Sequence, residues 1–273
     1  MSTVRLRPRF SPQFRVDLRD VRARSPGPGA GNELQRLKVW HGNDAVELGE
    51  LFDVDRISNP DDAVELRFEG DLRRFDRIGW RHSAGRIVID GSAGDYVGAR
   101  MSGGEIIVAQ HAGLFAGCAM GGGSLQVRGD VGDFAATAFP GDMHGMHGGT
   151  MRVEGNAGRR FGDRMRRGTA VVHGCVGAFA GSRMIAGTIA VGGDAGAHPA
   201  FGMRRGTIIF ASAKIAPPRT FVEPEADIGV LWQLLARSFQ RFGGPFGDLA
   251  ARMPKRFVGD LATNGKGELL FAS

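Results

Sequence analysis

The chain has 273 residues, an ordinary 42% hydrophobic share, a formal net charge of +6 and 44 glycines. That glycine content is about twice normal usage, and the lack of a strict three-residue period excludes a collagen-like chain and points to many tight turns. No run of about eighteen apolar residues exists, so no membrane span is predicted, and the sparse aromatics beside the basic runs predict no nucleic-acid partner.

In chain order, "MSTVRLRPRF" lacks the apolar core of a secretory signal, which predicts a cytoplasmic protein. "VRLRPRF" and "QFRVDLRDV" alternate like strands. "SPGPGAG" at 25–31 reads as a loop, and Asn32 is placed to cap a short helix over "ELQRLKVW", with Leu34 and Leu37 on one side. Residues 1–69 carry no repeat and are expected to cap one end of a β-rich stack, since an open β-edge invites aggregation.

From residue 70 to 215 the chain repeats. Units of 19 residues begin at Gly91, Gln110, Gly155, Gly174 and Gly193, a 26-residue unit begins at Gly129, and a degenerate unit begins at Gly70. The fourth position is Gly94, Gly113, Gly132, Gly158, Gly177 and Gly196; the fourteenth is Gly104, Gly123, Gly149, Gly168, Gly187 and Gly206. Glycine at fixed phase marks a left-handed backbone or a close approach. A strand with alternating inward residues comes next, such as Ile106 and Val108 or Leu125 and Val127. Thr150, Thr169, Thr188 and Thr207 precede these strands as an outward ladder.

A 19-residue, glycine-dense unit is too short for two helices. It fits one turn of a parallel β-solenoid, whose units bury their faces only against each other. The missing six-residue sub-period argues against a left-handed hexapeptide helix, so the expected fold is all-β, a right-handed parallel β-helix of about seven coils. The sixth position is mostly aromatic (Tyr96, Phe115, Phe134, Phe179), and the eleventh is Met101, Met120, Met165, Met184 and Met203, read as core filler rather than a ligand set. Cys118 and Cys175 form no CxxC and no zinc spacing.

Within the long unit, "FPGDMHGMHGGT" at 139–150 places His144 and His147 beside Asp142, residue types that can bind a metal. Counted back from Gly149, Met146 falls in the methionine column and His144 in the ninth position, beside Cys118 and Asp163. Residues 137–143 are then the insertion. A third and fourth ligand are not evident, so no metal is assigned, and the stretch with Phe139, Pro140, Asp142, His144 and His147 reads as a protein-contact bulge.

Residues 216–273 leave the repeat. Pro217 and Pro218 end the strand pattern, and "DIGVLWQLLARSFQRF" predicts a helix with Leu231, Leu234, Leu235 and Phe239 on one face, Asp227 as N-cap and Gly243 as stop. "KRFVGDLATNGKGELLF" closes the chain with a turn at Asn264–Gly265.

The pattern G-x-x-G-x-x-x-G resembles the β-helix domain shared by large-subunit glutamate synthases and the C-subunit of the formylmethanofuran dehydrogenases, with its bacterial counterpart in the formyltransferase/hydrolase complex. The flanks "LKVWHGNDAVELGELFDVD", "FVEPEADIG" and "FVGDLATNGKGELL" resemble this C-subunit, so the likeness runs from about residue 33 to 270. Arg-rich, Lys-poor usage favours the bacterial counterpart. The resemblance implies a structural subunit with no cofactor of its own, beside a formyltransferase, an amidohydrolase and a further subunit. That complex moves a formyl group from tetrahydromethanopterin to a methanofuran-type carrier and hydrolyses it to formate. The archaeal-type dehydrogenase subunit is the alternative.

Arg166–Arg167 and Arg204–Arg205 occupy the same two positions two units apart, and Arg164 and Arg183 share the tenth. They are expected to form a stripe for an acidic partner surface or for the polyglutamate tail that the resemblance gives the carrier, against the plainer reading of a solvated basic face. A β-helix polysaccharide lyase or hydrolase would need clustered carboxylates. Asp130 and Asp133 have His111, Asn156, Leu114 and Arg159 as neighbours instead. A free-standing binding module is the third possibility.

Overall fold

The computed structural model describes residues 2–22, 30–57, 64–212, 215–225 and 228–272. The N-terminal part supplies strands β1 (Ser2–Pro8), β2 (Val16–Asp17), β3 (Lys38–His41), β4 (Asp44–Glu47), β5 (Phe52–Ile57) and β6 (Val64–Phe68), with helices α1 (Ala30–Gln35) and α2 (Leu48–Leu51). The repeat supplies β7 (Phe75–Asp76), β8 (Arg86–Ile89), β9 (Ser102–Val108), β10 (Gly121–Val127), β11 (His147–Val153), β12 (Arg167–Val172), β13 (Thr188–Val191) and β14 (Thr207–Phe210). Helix α3 (Gly229–Gln240) and strands β15 (Pro254–Gly259) and β16 (Gly267–Ala272) complete the order. Strands dominate, helices are few, and twelve strands form one open mixed sheet in the order β15-β16-β14-β13-β12-β11-β10-β9-β8-β6-β1-β5. A smaller sheet runs β4-β3-β2-β7. No helix among the described residues is long and apolar enough to cross a membrane.

The period of the sequence becomes the register of the sheet. From β8 to β14 each strand pairs in parallel with the strand of the next unit, so Ile87, Ile106, Leu125, Met151, Ala170, Ile189 and Ile208 form one row. All seven are fully buried, and so are the methionines of the eleventh position, with Met146 among them. A second parallel row of single bridges links Leu72, Ala93, Ala112, Val131, Ala157, Val176 and Ala195. Each side chain is thus covered by its equivalents one unit before and after, which is how a unit too small for a core of its own buries one. Thr150, Thr169, Thr188 and Thr207 pair in a row on the half-buried side.

The two glycine positions serve different ends. At the fourteenth the backbone is left-handed, with φ from +71° at Gly104 to +101° at Gly206. At the fourth it is not. There the preceding unit lies too close for a side chain: a Cβ on Gly94 would come within 2.3 Å of the Phe75 carbonyl oxygen. Left-handed backbone also occurs where the sequence gives no signal, at the sixth position (Tyr96, Phe115, Phe134, Arg160, Phe179, His198) and the tenth (Arg100, Ala119, Arg164, Arg183). Such a conformation costs roughly 1–2 kcal/mol for a residue with a Cβ. The turn it makes aims an N–H along the stack: Tyr96 donates to the Leu114 carbonyl and Arg100 to the Cys118 carbonyl, each at 2.8 Å.

The flanks continue the sheet at both ends and correct three expectations. Most of "SPGPGAG" lies outside the described residues. Helix α1 starts at Ala30 and stops at Gln35, so Asn32 lies inside it rather than capping it, and "KVWH" is β3, antiparallel to β4. The strand wins there because Val39 is buried and Trp40 exposed, an alternation that suits a hairpin. At the other end β16 enters beside β14 with Thr207 opposite Glu268, and β15 pairs antiparallel to β16. Asn264 takes φ +52° in the turn between them. Helix α3 packs Trp232, Ala236 and Phe239 against Val171, Ala190 and Ile209 on the outer side of β12–β14. Leu231 and Leu234, expected inside, are 52% and 67% exposed, because the surface that receives the helix selects the Trp232 face. The expected cap Asp227 lies outside the described residues.

Candidate functional site

The insertion sits one residue later than the count from Gly149 gives. The Ala119 N–H donates to the Thr137 carbonyl at 2.8 Å as that of Arg100 does to Cys118, so Thr137 holds the ninth position. Met146 N–H closes on Ala136 as Met120 N–H does on Gly117. The extra residues are therefore 138–144. His144 is their last and does not sit beside Cys118 and Asp163; hydrogen bonding, not chain length, fixes where a unit opens.

The loop folds back over the preceding units. Phe139 meets Trp80 edge-on at 5.4 Å and stacks on Tyr96 at 5.9 Å. Tyr96 stacks on Phe115 at 4.8 Å, and Phe115 on Phe134 at 4.9 Å. The Arg100 guanidinium lies 4.7 Å from the Phe139 ring centre and pairs with Asp142 at 3.3 Å. Arg164 donates to the Asp142 carbonyl at 2.6 Å, and Arg166 contacts His144. Pro140, Asp142, Met143 and His144 remain exposed, and His147, whose Nδ1 lies 3.3 Å from the Gly145 carbonyl, borders a cleft of about 480 Å³ with the last three of them. Burial pushes the Cys118 thiol up, which leaves it protonated and unreactive. Among the described residues no group of three or more His, Cys, Asp and Glu is placed to hold a metal.

Two regions that the sequence treats separately are thereby joined, since Arg166 of the basic stripe is tied to His144 of the loop. Arg166, Arg167, Arg204 and Arg205 are all exposed. Among the described residues none of the four has an acidic partner within ion-pair distance. Arg164 and Arg183 are drawn away: Arg183 grips the buried Asp163 carboxylate, which also accepts the Ser182 hydroxyl at 2.6 Å. Lys266 extends the stripe, its N–H donating to the Arg204 carbonyl at 2.7 Å. Sequence reasoning missed Lys266, although "KGELLF" aligns with "RGTIIF" at 205–210 and signals the return.

The acidic positions form a ladder rather than a cluster. The Asp130 carboxylate accepts the Asn156 N–H at 2.7 Å, the Asn156 side chain accepts that of Cys175 at 2.9 Å, and the Cys175 sulfur that of Asp194 at 3.4 Å. Asp133 likewise accepts the Arg159 N–H at 2.7 Å. Each side chain fastens the following unit, and the carboxylates are not gathered for acid/base work.

No protein-family model matches the chain. Over 102 residues it is 34% identical to the C-subunit of the tungsten-containing formylmethanofuran dehydrogenase 2 of Methanothermobacter wolfeii, a match to 35% of this chain and 36% of that one. Over 66 residues it is 41% identical to the C-subunit of the molybdenum-containing formylmethanofuran dehydrogenase 1 of Methanosarcina barkeri, 24% of this chain and 22% of that one. The chain thus spans about a third or less of the length of these curated relatives. Its structure superposes on a chain of the formyltransferase/hydrolase complex (FhcABCD) from Methylorubrum extorquens, solved in complex with methylofuran, with a TM-score of 0.84 and 37% identity over 98% of this chain and 99% of that chain.

Proposed function

Because the chain belongs to the formylmethanofuran dehydrogenase C-subunit family, which includes the matched chain of the formyltransferase/hydrolase complex, we propose that it is the non-catalytic structural subunit of such a complex. In this reading the complex carries a formyl group from tetrahydromethanopterin to a methanofuran-type carrier and hydrolyses it to formate in the cytoplasm. Its partners are a formyltransferase, an amidohydrolase and a further subunit. The observation that carries the reading is the correspondence with a chain of that complex over 98% of this chain and 99% of that one, at 37% identity.

The same reading closes the units at 70–215 into a right-handed parallel β-helix of about seven coils, with 1–69 and 216–273 as its ends. Two parallel rows in register, with hydrogen bonds that step one unit at a time, support it. We assign Arg166, Arg167, Arg204 and Arg205 to an acidic partner surface or the polyglutamate tail of the carrier, supported by their exposure and unpaired charge among the described residues. We assign the loop with Phe139, Pro140, Asp142, His144 and His147 to a protein contact.

Purification from the native source followed by mass spectrometry tests the function. Co-purifying formyltransferase and amidohydrolase subunits are expected; a chain that elutes alone with hydrolase or lyase activity overturns it. The local matches to tungsten and molybdenum enzymes favour the archaeal-type reading as the alternative, and either metal in the purified complex would select that reading.

A further inference from the structure

Inside the stack every unit donates backbone N–H groups to the next at the third, sixth and tenth positions. Ala157 donates to Cys175 and Val176 to Asp194; Arg160 donates to Ala178 and Phe179 to Ala197, all at 2.8–2.9 Å. In the last unit the equivalent donors at the third and sixth positions are Ala195 and His198, and among the described residues neither has an acceptor. The carbonyls of Ala195 and Pro199 also lack the N–H groups that Val176 and Ala180 receive from Gly196 and Ala200. This open strip, 194–199, is one wall of a cleft of about 810 Å³ whose far wall includes Ile215, Phe221 and Asp260. Of the three forward donors of this unit, Gly202 at the tenth position alone is met among the described residues, by the Asp260 carboxylate at 3.0 Å.

The opposite end of the same strip is treated differently. There the chain covers itself: β2 runs parallel to β7 with Val16 opposite Phe75, the Val16 N–H donates to the Arg74 carbonyl at 2.8 Å, and the Leu18 N–H to Asp76 at 2.9 Å. That cover also blocks a second copy of the chain from stacking head to tail on the open strip.

We propose that the cleft along 194–199 receives an extended segment of another protein subunit, which pairs with the strip by its backbone as β2 pairs with β7. An apolar side chain of the segment packs against Phe221 and the half-exposed Phe201. Unpaired donors and acceptors in strand register are a template for strand addition, with main-chain bonds supplying affinity and flanking pockets the selectivity. Naming the occupant as another subunit rests on the complex reading above.

Two variants test it in the whole complex. Ala195→Pro removes a donor from a free edge, where proline is tolerated, and Phe201→Asp places a charge in the cleft; if the first does not fold, the second carries the test. Both should melt within about 2 °C of the wild type yet retain about tenfold less of one subunit. The Ala195 and His198 amides should exchange at least about tenfold more slowly in the complex than in the free chain. Unchanged subunit retention together with unchanged exchange at these amides overturns the proposal while leaving the complex reading intact. A wild-type chain that purifies with no subunit overturns both. Self-association of the free chain that Ala195→Pro abolishes would make the occupant a second copy and overturn the assignment.

Discussion

The Asp260 carboxylate accepts the Gly202 N–H at 3.0 Å, in the place where the Phe201 carbonyl accepts the Arg183 N–H one unit earlier. A side chain from the C-terminal extension thus stands in for a rung of backbone. Asp260 is 3% exposed and also accepts the Ala262 N–H at 3.0 Å. Asp260→Ala strands both donors, at a cost of about 1–3 kcal/mol. Urea unfolding should show a lower midpoint with an unchanged slope; an unchanged midpoint would show that the contact contributes nothing.

Phe139 ties the inserted loop to Trp80 and Tyr96. Phe139→Ala should lower stability by about 1 kcal/mol beyond the lost area and shift the emission of Trp80, now wetter, to the red. A loop held mainly by Arg100, Arg164 and Arg166 would leave the Trp80 spectrum as it was.

The stripe makes an electrostatic prediction. Replacing Arg166, Arg167, Arg204 and Arg205 with Ser removes four exposed charges and should leave the melting temperature within a few degrees. Retention of an acidic subunit or of the carrier should fall and lose its dependence on salt, since exposed charges act within about 10 Å at 0.1 M ionic strength. Unchanged assembly and carrier retention would return the stripe to a solvated basic face.

Acid should weaken the fold before the carboxylates titrate. Burial depresses the His82 imidazole below its ordinary value despite a hydrogen bond to the Gly85 carbonyl, and burial followed by the nearby Arg152 depresses His173. The unfolded chain binds these protons more readily, so stability is full above the ordinary imidazole value and is lost as pH falls through the depressed one. The melting temperature should drop between about pH 7 and pH 5, and His82→Gln should flatten part of that slope. Asp17 and Asp71, held below the usual carboxylate range by arginine hydrogen bonds against the cost of burial, act only in more acid solution.

The repeat is legible in the sequence because its constraints are steric and recur: glycine where the preceding unit crowds in, methionine and branched residues where the row is buried. The left-handed turns at Tyr96 or Arg164 are not legible, since no local preference asks for them; the hydrogen bond to the next unit does. The buried face of α3 is hard to read because apolar residues surround much of that helix. A clue lies elsewhere, in the outward strand residues, which change from Gln126 and Arg152 to Val171, Ala190 and Ile209 where the helix lands. The joining of His144 to Arg166 is invisible because it depends on where the long unit opens, and one hydrogen bond at Thr137 settles that.

Glu268 lies beside Thr207 although 61 residues separate them in the chain. Between those two adjacent strands the polypeptide makes α3 and all of its surroundings, then resumes in register as though nothing had intervened. The seven-residue detour at 138–144 does the same on a smaller scale. Such a stack can lengthen sideways at any rung without a change in its interior. New surfaces can therefore be acquired or discarded as excursions, while the row from Ile87 to Leu269 keeps one unbroken grain.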